Sequence, residues 1–109
     1  MKPSSIWFTV ALCLLGIFGC QTSSYGPAPV TAELIRAGAA RHANEETLRE
    51  GRRFFVSRCI ECHTLPVVSS YSASAWPHLV DKMADRADLK SSERNAVVAY
   101  ILAARAQTK

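Results

Sequence analysis

Two cysteines and a histidine stand within five consecutive residues, Cys59-Ile60-Glu61-Cys62-His63, in a chain of 109 residues. The two thiols are about one helical turn apart, and the imidazole follows directly after the second. A chain of this length forms one small domain. It is too short for a doubly wound nucleotide-binding domain or a TIM barrel. Whatever chemistry this stretch carries therefore belongs to a small domain.

The pattern Cys-x-x-Cys-His is the attachment signature of c-type haem. Its chemistry needs all three side chains: the thiols of Cys59 and Cys62 add to the two vinyl groups as thioethers, and His63 supplies the proximal axial nitrogen to the iron. A thioredoxin-like thiol pair would need a βαβ context that the sequence lacks. A zinc site would need a second pair of ligands, and no further cysteine is available in the domain. The pattern predicts one covalent haem c, with a thiol-redox or zinc protein as the alternative.

The N-terminus has the features of an export signal. Lys2 precedes an apolar run from Ile6 to Phe18, and Gly19-Cys20 follows. The run is shorter than the roughly 20 apolar residues of a membrane-spanning helix, although an uncleaved anchor remains an alternative. The end of the run resembles a bacterial lipobox, which implies that Cys20 becomes the lipidated first residue of the mature protein. We therefore expect a signal peptide over 1–19, and a lipid-anchored protein facing the periplasm or cell exterior.

Composition changes sharply after the signal. Removing residues 1–19 takes away one lysine and no acidic residue, so the net side-chain charge falls from +4 to +3. That mild excess, without a run of basic residues, gives little support for nucleic-acid binding. Residues 20–30 are polar and rich in proline, which predicts a flexible tether. Residues 31–109 are left as the folded domain.

Apolar periodicity predicts only helices in that domain. Helices are expected over 32–40, 45–58, 75–87 and 92–106, with Thr31, Asn44 and Ser91 as N-caps and a loop over 64–74. Gly51 lies inside the second helix, where glycine costs about 1 kcal/mol relative to alanine. Another element is therefore expected to approach it closely. No strand pattern occurs, so the fold class is all-α.

Residues 51–63 resemble the opening helix and haem site of class I cytochromes c. The glycine, the aromatic Phe55 four positions later and Cys59 eight positions later have the spacing of that family. Residues 93–102 resemble its C-terminal helix, and residues 76–83 are similar to small bacterial monohaem relatives. The resemblance covers about residues 45–106. It implies a cytochrome c-like helical fold around one haem, with an additional N-terminal helix and with Gly51 meeting Tyr100.

The resemblance also implies a sixth iron ligand and a function. It makes Met83 the distal axial ligand; the alternatives are that Met83 only packs on the haem edge, or that His78 is the ligand. The family transfers single electrons between a redox protein donor and acceptor, without enzymatic activity or a small-molecule substrate. A haem-based ligand sensor, or an electron-transfer subunit of a larger periplasmic oxidoreductase, is the alternative.

Overall fold

Four α-helices make up the fold of the residues that the computed structural model describes, 26–61 and 64–108. They are α1 (Ala32–Ala39), α2 (Glu45–Arg58), α3 (Trp76–Ala84) and α4 (Ser91–Gln107). Short 3₁₀ turns follow at Cys59–Glu61 and Val68–Ser70. These described residues form no strand, which confirms the all-α class.

The helix ends follow from local hydrogen bonds. The Thr31 hydroxyl accepts from the Leu34 N–H at 3.3 Å, and the Asn44 side chain accepts from the Thr47 N–H at 2.9 Å, so both predicted N-caps are confirmed. The predicted cap at Ser91 is wrong, because α4 begins there. Its N-cap is Lys90, whose backbone N–H donates to the Glu93 carboxylate at 2.8 Å.

The third helix is shorter at both ends than the apolar pattern predicts. It begins at Trp76 and ends at Ala84, three residues before the expected end. The backbone reverses at Asp88, whose φ is 50°. The Leu89 N–H then bonds back to the Ala84 carbonyl at 3.0 Å. Periodicity continued beyond Ala84 because Ala87 is buried in the turn and not in the helix.

The core is centred on the crossing of α2 and α4. Gly51 faces the Ala96 carbonyl, and a Cβ on Gly51 would lie 2.9 Å from the Cβ of Tyr100. The rings of Phe55 and Tyr100 pack beside the crossing with centroids 5.9 Å apart. The predicted meeting of Gly51 and Tyr100 is confirmed. Further buried side chains of the same cluster are Leu34, Leu48, Val97, Ile101 and Ala104.

Residues 26–30, part of the expected tether, are held against this core. The Ala28 carbonyl accepts hydrogen bonds from the Tyr100 hydroxyl at 2.7 Å and from Arg52 Nε at 3.1 Å. Arg52 also donates to the Pro27 carbonyl at 3.3 Å. Ala28 and Val30 pack against the buried cluster. Residues 26–30, the described part of the expected tether, are therefore bound to the surface of the helical domain.

Of the helices that are described, none has the length and apolarity to cross a membrane.

Candidate functional site

A cavity of about 230 Å³ opens to solvent between α2, α3 and α4. Its walls are largely apolar, and they include Phe55, Trp76, Leu79, Val80, Leu89 and Ile101. Several of these side chains also belong to the buried core, so the cavity is continuous with the interior of the domain. We refer to it as the central cavity.

Cys59 and Met83 both line the central cavity. Cys59 follows directly after α2 and is half-buried. Met83 lies in the last turn of α3, on the same helical face as Leu79 and Val80, since residues three and four apart share a face. Its exposed fraction is 39%, so it lies at the mouth of the cavity. The structure thus brings the first cysteine of the Cys-x-x-Cys-His pattern and the predicted distal ligand to one site.

The other candidate residues lie either outside the described residues or away from the cavity wall. Cys62 and His63 of the same pattern, and the predicted lipidation site Cys20, lie outside the described residues. His78, the alternative axial ligand, is exposed and is not part of the cavity wall. Met83, by contrast, is part of that wall. The geometry therefore favours Met83 over His78 as a residue that meets a group bound in the cavity.

The loop between α2 and α3 forms one side of the central cavity. The Trp76 indole N–H donates to the Val68 carbonyl at 2.9 Å. The Tyr71 ring packs edge-on against the Trp76 ring, with centroids 5.4 Å apart. Arg105 of α4 donates to the Tyr71 carbonyl at 2.5 Å. Val68 and Tyr71 are thus held by side chains of α3 and α4, and the segment presents Pro66 and Tyr71 to the cavity.

Two arginines contribute positive charge to the lining of the cavity. Arg58 and Arg86 belong to its lining, and no described lining residue is acidic. Sequence reasoning did not single out either residue. Arg58 was detectable, since it directly precedes Cys59. Arg86 lies in the turn beyond α3, at a position that the sequence pattern had included in the helix.

Arg94 of α4 connects that helix to α3 on the outer side of the site. Its Nε donates to Asp81 Oδ1 at 2.6 Å, and its Nη2 donates to the Pro77 carbonyl at 3.4 Å. The hydrogen bond from Arg94 holds the pKa of the Asp81 carboxyl below its usual value of 3.8, because it stabilises the ionised form. Sequence patterns gave no sign of this contact.

The central cavity combines apolar walls with a few groups that have specific chemistry. The cavity is lined by hydrocarbon, a thiol lies on one wall, a thioether lies at its mouth, and guanidinium groups are available for anionic substituents. No three histidine, cysteine or acidic side chains cluster as a metal site within the described part of the chain. Comparisons of this chain with protein-family models, with curated proteins and with solved structures found no significant match.

Proposed function

We propose that this protein is a monohaem c-type cytochrome that carries single electrons between a redox protein donor and acceptor. One observation carries the proposal: Cys59 of the Cys-x-x-Cys-His pattern and Met83 line the same apolar cavity. The pattern is read from five adjacent residues, whereas most of the cavity lining comes from other parts of the chain. Their coincidence supports a covalently bound cofactor in that cavity.

The residues present fit haem c in their donor chemistry. Cys59 and Cys62 would form the two thioether links, and His63 would be the proximal ligand. The soft sulfur of Met83 suits iron in a cytochrome, and a His–Met pair raises the reduction potential relative to two histidines. When bound, haem c supplies a one-electron ferric/ferrous couple.

The protein's own side chains set the properties of that couple. Phe55, Leu79 and Ile101 keep water away from the interior of the cavity, and Arg58 and Arg86 place positive charge on its wall. Nearby positive charge disfavours the more positive ferric state, which raises the potential. If His63 and Met83 both held the haem iron, no position on it would be left for a substrate. The proposed activity is therefore electron transfer and not catalysis.

The test is expression in a host competent for haem attachment, followed by a pyridine haemochrome spectrum. One covalent haem per chain is expected for the wild type. Cys59→Ala and Cys62→Ala should each alter or abolish the two-thioether spectrum. Cys13→Ala is the matched control and should leave it unchanged, because Cys13 is expected to leave with the signal peptide. Absence of covalent haem from the wild type would refute the proposal.

The proposal includes a lipid anchor at Cys20, supported by the resemblance of residues 15–20 to a lipobox. Cys20→Ser should move the protein from the membrane fraction to the soluble fraction of the cell envelope. Cys13→Ser changes the same type of residue within the signal and should leave the protein membrane-bound. If Cys20→Ser is also membrane-bound, lipidation at this position is refuted.

A haem-based ligand sensor is the second candidate. It would require a small molecule to displace Met83 from the iron. Carbon monoxide separates the two functions. Binding to the native reduced protein would indicate a sensor, and failure to bind would indicate a carrier with a closed axial position.

A further inference from the structure

The helix that carries Met83 is attached to the core through a few apolar side chains. Of the residues in α3, Trp76 and Val80 are buried. These two side chains, with Leu79 and Met83, also line the central cavity. The apolar face of α3 therefore borders the space that a cofactor would fill, and only part of that face is available for packing against α4.

Polar contacts from one residue complete the attachment. Arg94 donates to the Asp81 carboxylate at 2.6 Å and to the Pro77 carbonyl at 3.4 Å, and its third nitrogen donates to the Asn95 side chain at 3.0 Å. Only 25% of the Arg94 side chain is exposed. The guanidinium thus spans the first two turns of α3, and Asn95 steadies it from α4.

This attachment acts on the side of α3 away from Met83. Asp81 and Met83 are two positions apart, which places them about 200° from each other around the helix. Arg94 consequently holds the outer side of α3 while Met83 faces the cavity mouth. Arg94 therefore positions α3 without contacting the central cavity itself.

We infer that Arg94 is a positioning residue that keeps α3 closed over the central cavity and so regulates displacement of Met83 by small ligands. The inference rests on the proposed function, in which Met83 is the axial ligand. Loss of the Arg94 contacts would leave α3 attached mainly through Trp76 and Val80. Met83 would then leave the iron more readily, and an external ligand would compete more successfully.

The experiment measures imidazole binding to the ferric holoprotein, far below its unfolding temperature. Arg94→Gln and Asp81→Asn should each bind imidazole about twofold to fivefold more tightly, the range expected for losing a partly exposed ion pair. Asp81→Glu retains a carboxylate and should restore most of the wild-type affinity. The double variant should show no further gain, because both single changes remove the same contact.

Arg49→Gln is the matched control. It removes an arginine–carboxylate pair with the same 2.6 Å distance, that of Arg49 with Glu45, and neither of these residues lines the central cavity. This variant should bind imidazole like the wild type. If Arg94→Gln does not fold, Asp81→Asn tests the same contact from its more exposed partner.

The outcomes separate the two proposals. Wild-type imidazole affinity in both Arg94→Gln and Asp81→Asn, or an equal change in Arg49→Gln, would overturn the role of Arg94 while leaving the cytochrome intact. Absence of the weak far-red band of a Met–iron bond in the wild type would overturn Met83 ligation, and the role of Arg94 with it. Absence of covalent haem would refute the proposed function as a whole.

Discussion

The backbone carbonyl of Ala96 lies where a side chain on Gly51 would begin. A Cβ at Gly51 would also lie 2.5 Å from the Ala96 carbonyl carbon and 2.9 Å from the Cβ of Tyr100. These atoms belong to the backbone or are attached directly to it, so they move only if the two helices separate. The close approach fixes the crossing of α2 and α4. It also sets where Phe55 and Cys59, further along the same face of α2, meet the cavity.

Replacing Gly51 by alanine should therefore destabilise the protein by about 1–3 kcal/mol, the cost of overpacking a site that cannot relax. The matched control is Gly38→Ala. There the nearest atoms are the side-chain carbons of Leu48, a flexible neighbour, and alanine gains about 1 kcal/mol in helix propensity. Urea unfolding followed by circular dichroism compares the two. Equal midpoints for both variants would show that the crossing is less tight than described.

The choice between Met83 and His78 as axial ligand gives a spectroscopic prediction. Met83→Ala should lose the far-red band of the oxidised holoprotein completely, because the sulfur at the cavity mouth is gone. His78→Ala is the control and should retain the band, since His78 is exposed and lies outside the cavity wall. If instead the wild type lacks the band and His78→Ala changes its low-spin spectrum, His78 is the ligand. The visible spectra of the purified oxidised variants decide between them.

The parts of the fold that sequence predicted well depend on local information. The N-caps Thr31 and Asn44 act within three residues of themselves. The apolar stripe of α2 recurs at helical spacing over the whole helix. Gly51 was detectable as a contact because glycine is unfavourable inside a helix unless something lies against it. Cys59 and Met83 were found from a motif and a family resemblance, and the cavity later brought them together.

The parts that sequence did not predict depend on partners distant in the chain. Proline and glycine content indicates a loop over residues 26–30, but it does not reveal whether the loop carbonyls find donors. Ala28 finds them in Arg52 and in Tyr100, the latter 72 positions away. The contact of Arg94 with Asp81 is of the same kind. Long-range pairing of this sort depends on the helix arrangement, which no local pattern encodes.

The turn after α1 contains a strained residue that offers a stabilising substitution. His42 has a φ of 61°, in the left-handed region that favours glycine. His42→Gly should raise the free energy of unfolding by about 0.5–1 kcal/mol through relief of this strain. His42→Ala removes the imidazole but keeps the Cβ, so it should give no stabilisation. Thermal unfolding of both variants measures the difference. If His42→Ala is also stabilised, then removal of the imidazole, and not relief of the backbone strain, is the cause.

The Tyr100 hydroxyl makes the stability of the domain decrease at alkaline pH. Burial raises its pKa above the ordinary value of 10.0, although nearby Arg52 acts in the opposite direction. The folded state thus retains a proton that the unfolded chain loses near pH 10. The contribution of Tyr100 to the free energy of unfolding is therefore fully present below pH 10. Above that pH, the free energy of unfolding falls by up to about 1.4 kcal/mol per pH unit, until Tyr100 also ionises in the folded protein.

Tyr100→Phe should cost about 1 kcal/mol at neutral pH, because the hydrogen bond to the Ala28 carbonyl is lost. The deficit relative to the wild type should shrink above pH 10, since phenylalanine has no proton to lose. Tyr71→Phe, at an exposed position, is the control for a general effect of tyrosine ionisation. Urea unfolding at pH 7, 9 and 10.5 provides the measurement. A deficit that stays constant across this range would show that Tyr100 ionises equally in the folded and unfolded chains.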